Sequence, residues 1–174
     1  MVLASFMGIA WATGLTEKLE LETIRETIES SGPWGVLIFV AATVAGNFVQ
    51  VPAVPFIVLA QATWGVWWGS LYAWIASFAA SVIVFHGVRL VGGTPGKEIK
   101  AKWARRVLSK LDERPLLVVF ILRAVFVANP PVTYALALSG VKPGYHLLGS
   151  ALGLVIPVVM YAVLVSVFGW APGG

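Results

Sequence analysis

Residues 51–69 read VPAVPFIVLAQATWGVWWG, and residues 126–144 read FVANPPVTYALALSGVKPG. Set 75 positions apart, the two stretches align Pro55 with Pro130, Ala60 with Ala135, Ala62 with Ala137, Gly65 with Gly140, Val66 with Val141 and Gly69 with Gly144. Proline removes a backbone donor and crowds the preceding turn, so an apolar helix cannot run straight through Pro52 and Pro55, or through Pro130 and Pro131. Each break leads into a second uncharged segment with about the 20 residues a bilayer requires. Hydrophobic segments interrupted at corresponding places in two halves point to a transporter with its site near the membrane midplane.

The residues around these stretches set the class. No charged side chain occurs between Glu29 and Arg89. Hydrophobic residues make up 59% of the 174-residue chain and charged ones 11%, against about 25% charged in a soluble domain. The chain is therefore read as an integral membrane protein with one membrane domain and no sizeable soluble one. The absence of cysteine excludes disulfides and thiolate metal sites. With only His86 and His146, and no carboxylate inside an apolar segment, ligands for a metal and a general acid/base pair are both lacking. Both histidines are read as structural, no cofactor is expected, and the protein is not expected to be an enzyme.

Residues 1–15 are apolar but short, and are read as a brief first membrane helix. Residues 16–32 place Leu21, Ile24 and Ile28 on one helical face among five glutamates, as in an amphipathic interfacial helix. Residues 33–170 form the membrane domain: a first repeat over 33–90, a basic loop over 91–114 and a second repeat over 115–170. In the first repeat, Trp64, Trp67 and Trp68 predict an interfacial cluster, and Gly69 to Val88 predict a spanning helix. In the second, Leu147 to Trp170 predict a span kinked at Pro157.

The stretch from Arg89 to Arg114 holds eight of the twelve basic residues, which places the 91–114 loop in the cytoplasm by the positive-inside rule. If Pro115 to Ser139 crossed the bilayer, Arg123 and the Asn129-Pro130-Pro131 break would lie at membrane depth. If Trp34 to Thr63 and Pro115 to Ser139 each enter and return, the two long spans run antiparallel and the halves form an inverted repeat. The fold class expected is thus all-α and integral to the membrane: an inverted repeat of a re-entrant hairpin followed by a transmembrane helix, with amphipathic interfacial helices.

The order of Pro52-x-x-Pro55, Gly65-x-x-x-Gly69, Phe85-x-x-x-Arg89-x-x-Gly92, Arg123 ahead of Pro130, Gly140, and Gly153-x-x-x-Pro157 resembles the DedA and VTT-domain superfamily, also called the SNARE-associated Golgi protein family. The resemblance covers about residues 16–170. It implies facing re-entrant hairpins from opposite leaflets and movement of lipids across the bilayer, polyprenyl phosphates and phospholipids among them. Members of the DedA branch carry acidic residues in the first hairpin, where proton coupling is proposed. This chain has Asn47, Gln50 and Gln61 there, so it looks closer to the VTT branch, and weak pH dependence is expected.

The function expected is that of a flippase or scramblase for a phosphate-bearing lipid. Arg123 is the leading substrate-binding residue, since a guanidinium fork suits two phosphate oxygens. Arg89, Asn129, Asn47, Gln50 and Gln61 are further candidates along a polar path, although the amides also suit backbone groups freed by nearby prolines and Arg89, at a helix end, suits snorkelling; Pro52, Pro55, Pro130 and Pro131 form the hairpin breaks. The expected partners are membrane lipids with phosphate headgroups; no nucleic acid is expected, and a homo-oligomer is left open. The expected location is the inner membrane of a prokaryote. Two alternatives stand beside this reading: a small-anion channel or carrier, and a non-transporting membrane scaffold.

Overall fold

A computed structural model describes residues 31–92, 113–127 and 129–168, together with Glu26, Ile28 and Ser30. The expected first membrane helix, nearly all of the acidic amphipathic helix and most of the basic loop lie outside the described residues. A 3₁₀ turn, Gly32–Trp34, is followed by α1 Gly35–Phe48, α2 Val54–Gly92, α3 Pro115–Phe126, α4 Pro130–Leu138, α5 Pro143–Gly153 and α6 Val155–Phe168. Among the described residues two helical stretches are long and apolar enough to cross a bilayer, Val54–Val91 and Pro143–Val167. Large side chains face outward along both, including Leu71, Ile75, Ile83, Leu148, Leu152, Val159, Val163 and Val167. Small ones line the interior, where Ala73, Ala76, Ser77, Ala80, Ser81 and Ser150 are buried. Small residues inside and large apolar residues outside suit helices that pack closely while facing lipid.

The first broken segment folds as two arms. α1 lies against residues 54–64 in the opposite direction, because Phe39 meets Trp64 at 5.4 Å and Gly46 meets Phe56 near the other end. The tip between the arms holds Gln50 at φ 68, a left-handed backbone angle in a residue with a Cβ. α2 is itself interrupted at Gly65, where φ 74 and ψ 166 fall in a region essentially reserved for glycine. The chain reverses there, and Gly69 comes so close to Ala60 and Gln61 that a Cβ would collide with their backbone. Residues 66–92 then run as one helix of about 40 Å, more than the roughly 30 Å hydrocarbon thickness. The observed span is longer at both ends than the expected Gly69 to Val88. Of the three tryptophans expected at an interface, Trp67 and Trp68 are exposed, whereas Trp64 packs into the hairpin core against Phe39 and Tyr72.

The second broken segment opens differently. α3 leans on α5, with Gly149 against Val119 and Gly153 against the Phe120 carbonyl and Arg123 Cβ, so these helices run parallel. α4 leans on residues 85–89 of α2 instead, where Phe85, Val119, Leu136, Ala137 and Val141 share a core. At the tip, Val127 takes φ 56 and ψ −151, a strained angle for a β-branched residue. The expected kink of the second span falls at Leu154, between α5 and α6 and three residues before Pro157. A proline there cannot donate to the Gly153 carbonyl and crowds it, so the helix breaks one turn ahead of the proline.

The two spans are antiparallel. Trp74 Nε1 donates to the Ala151 carbonyl at 2.9 Å, Ser81 lies beside Ser150, and Gln61, next to Ser70, reaches the Val158 carbonyl. Midway along, Ala53 of the first tip and Leu154 of the kink are buried together, with Trp74, Phe78 and Val127 of the second tip packed around them. Three interruptions of the helices thus converge about halfway down the 66–92 helix.

Candidate functional site

One turn before the second tip, the Arg123 side chain is completely buried. Three helices each turn one hydroxyl toward it. Arg123 Nε donates to Ser150 Oγ of α5 at 3.2 Å, and one terminal nitrogen donates to Thr133 Oγ1 of α4 at 2.9 Å. The other donates to Ser81 Oγ of α2 at 2.7 Å. All three acceptors are neutral. The sequence has no acidic residue between Glu29 and Glu98, and none after Glu113, so no carboxylate of the apolar segments can balance the guanidinium. Three bonds occupy three of its five N–H groups. A buried cation satisfied only by hydroxyl dipoles has part of its charge uncompensated, and an anion would supply the remainder.

The hydroxyls belong to a continuing network. Thr133 Oγ1 donates to the Asn129 carbonyl at 3.3 Å, tying the Arg123 cluster to the Asn-Pro-Pro break. Ser81 also contacts His146 Nε2 at 3.3 Å, and His146 stacks on Phe85 with ring centroids 3.9 Å apart. Arg89 lies over Phe85, 4.3 Å from the ring centroid. Among the described residues, His146 Nδ1 and Asn129 Oδ1 are buried without a hydrogen-bond partner.

The candidates from the sequence do not meet in one place. Arg123 and Asn129 belong to the same cluster. Arg89 donates to the carbonyls of Ala137, Ser139 and Val141, so its guanidinium caps the end of α4 and fixes the turn into α5. Gln61 forms a second polar centre, donating to Ser70 Oγ at 3.0 Å and to the Val158 carbonyl at 3.3 Å. Ser70 and Ser81 are separated by about 16 Å along the helix, so Gln61 does not contact the Arg123 cluster. Asn47, buried in α1, donates to the Thr43 carbonyl at 3.4 Å, and Gln50 sits at the tip. Tyr134 reaches the Phe48 carbonyl at 3.3 Å and links the second hairpin to the end of α1.

Sequence reasoning left out Ser81, Thr133 and Ser150, and read His146 as structural. One trace of the first was present: Ser70, Ser77 and Ser81 recur at spacings of seven and four, one helical face of an otherwise apolar span. Thr133 and Ser150 carried no comparable signal, because their role depends on which helices α3 meets.

A family model for the VTT domain matches residues 51–167, well over half of the chain, taking in the second tip, the long spans and every member of the Arg123 cluster. Comparison with curated proteins and with solved structures returns no match.

Proposed function

The chain belongs to the VTT-domain family, and on that premise we propose that it moves a phosphate-bearing lipid between the leaflets of a membrane. The observation that carries this reading is the buried Arg123, held by Ser81, Thr133 and Ser150 with no carboxylate beside it among the described residues. A phosphodiester passing the tips would exchange water for the guanidinium and hydroxyl donors while its acyl chains stay in hydrocarbon. The barrier to headgroup crossing falls by whatever these donors recover. Since Arg123 is fully enclosed, the described conformation is the closed one, and passage requires the hairpins to part.

The topology proposed with this function is a pair of re-entrant hairpins in an inverted repeat. Its support is geometric: both arms of the first hairpin return to the Gly65 end of the 66–92 helix, and the two tips meet around Leu154. Irregular backbone at membrane depth is tolerated where protein encloses it. The basic residues of 91–114 would then face the cytoplasm of a prokaryotic cell, with phosphate-bearing lipids as the partners.

The test is reconstitution into liposomes carrying a headgroup-labelled phospholipid or a polyprenyl phosphate, read with a membrane-impermeant reagent. Exchange faster than in protein-free vesicles is expected for at least one lipid class. No acceleration for either, from folded and inserted protein, would sink the lipid reading. Chloride or phosphate flux in the same vesicles would then favour a small-anion path, which the hydroxyl-held cation also suits.

A further inference from the structure

α3 and α5 begin at the same end of the molecule, and between them runs a groove of about 380 Å³. Its walls are Leu116, Leu117, Phe120 and Leu152, and its mouth carries Arg114 and Tyr145. Tyr145, Leu117 and Leu152 are exposed. The lining is almost wholly apolar, and its only polar residues, Arg114 and Tyr145, border it at the end where α3 and α5 begin, about 10 Å of helix from Leu152. The Arg114 carbonyl accepts from the Val118 N–H at 3.1 Å, while its side chain makes no hydrogen bond or ion pair among the described residues; Glu113 precedes it in the chain, and Lys142 lies one turn before Tyr145.

We propose that this groove seats one anionic glycerophospholipid of the surrounding leaflet, its acyl chain along Leu116, Phe120 and Leu152 and its phosphate on Arg114 and the Tyr145 hydroxyl. The polarity gradient matches such an amphiphile end for end. A protein partner would need a broader face, and a second copy of the chain would bring another Arg114 toward this one. The seat is separate from the Arg123 cluster, because Gly149 and Gly153 close α5 onto Val119 and Phe120 between the two. A lipid bound there bridges α3 and α5 and braces the second hairpin without crossing the membrane.

Native mass spectrometry of the detergent-purified chain, with phosphatidylglycerol or phosphatidylcholine added, tests the proposal without any transport readout. One phosphatidylglycerol should be retained in preference to phosphatidylcholine. Arg114→Gln should weaken that retention about five-fold, the effect of about one basic group near an anionic surface. Leu152→Trp should fill the groove and abolish retention of both lipids. Equal retention of the two lipids, or phosphatidylglycerol binding unaffected by Arg114→Gln, would overturn the proposal. So would efficient disulfide formation between cysteines placed at 103 and 152, which would assign the groove to the chain's own basic segment.

Discussion

The two hairpins share a helix, break and helix pattern but are filled differently. The first closes on itself: Phe39 stands edge-on to both Phe56 and Trp64, and Gln61 ties the returning arm to Ser70 and to α6. The second is spread open, with α3 on α5 and α4 on α2, and a guanidinium occupies the space between its arms. Aromatic rings pack without needing a ligand, whereas a cation among neutral hydroxyls is left short of charge. On the proposed function, the first hairpin would serve as framework and the second would face the substrate.

The sharpest way to break this contrast is to empty the first hairpin. Phe39→Ala removes a ring with no exposed surface and two edge-to-face contacts. The loss should be about 3 kcal/mol of stability, at the low end for a buried aromatic because lipid, not water, surrounds the opened arms. Thermal denaturation in detergent measures it. A melting temperature close to that of the parent would mean that the aromatic cluster does not hold the arms together.

Arg123→Met makes the opposite separation. Removing the cation orphans little, because Ser81 and Ser150 are already 3.5 Å apart and Thr133 retains the Asn129 carbonyl. Replacing a buried charge with an apolar side chain of similar length should therefore leave stability within about 1 kcal/mol of the parent, or raise it. Transport should nevertheless fall at least ten-fold, since a hydrogen bond to a charged group is worth about 1.5–3 kcal/mol. Arg123→Lys should be intermediate, because one ammonium cannot reproduce the planar fork. Normal lipid exchange by the methionine variant would remove the second hairpin's cation from the site.

A third, smaller difference lies at the tips. Val127 holds a β-branched side chain at φ 56, while Gln50 holds an unbranched one at φ 68. Strain of this kind costs about 1–3 kcal/mol, and a glycine relieves it at the expense of a more flexible unfolded chain and some packing. Val127→Gly should stabilise by about 1 kcal/mol, and by more than Gln50→Gly, as read from paired melting curves. If Gln50→Gly gave the larger gain, the strain would lie mainly in the hairpin assigned to the framework.

Much of the fold could be read from the residues, because prolines and glycines act locally. Pro52, Pro55, Pro130 and Pro131 mark the breaks by removing donors, and Gly65 stands where the backbone needs a glycine-only angle. The site was half legible. Arg123 is conspicuous as a cation in an apolar run, but nothing local says that α3 will lie along α5 and α4 along α2. That choice decides which hydroxyls receive the guanidinium, and it leaves Gln61 and Arg89 outside the cluster, bonded to Ser70 and to backbone carbonyls. Arg89 in particular carries a charge that serves the backbone, spending its donors on the carbonyls at the end of α4.

Gln61 supplies the finest test of the division of labour, because as a buried amide in the first hairpin it was a natural substrate ligand. Its Nε2 donates to Ser70 and Val158, while its Oε1 is buried without a partner among the described residues. Gln61→Leu loses two bonds that in membrane interiors are worth about 0.6 kcal/mol each, and it also removes the unpartnered oxygen, whose burial is unfavourable by about 1–3 kcal/mol. The two effects nearly cancel, so stability should move by no more than about 1 kcal/mol in either direction. Transport should stay within about two-fold of the parent, because Gln61's partner Ser70 stands about 16 Å along the helix from Ser81 of the cation cluster, and Gln61's contacts hold the returning arm to the spans. Liposome exchange measured beside Arg123→Met in the same preparation decides the matter. A comparable loss in Gln61→Leu, without a fall in melting temperature, would show that the headgroup also passes the first hairpin, and the contrast between framework and substrate face would have to be given up.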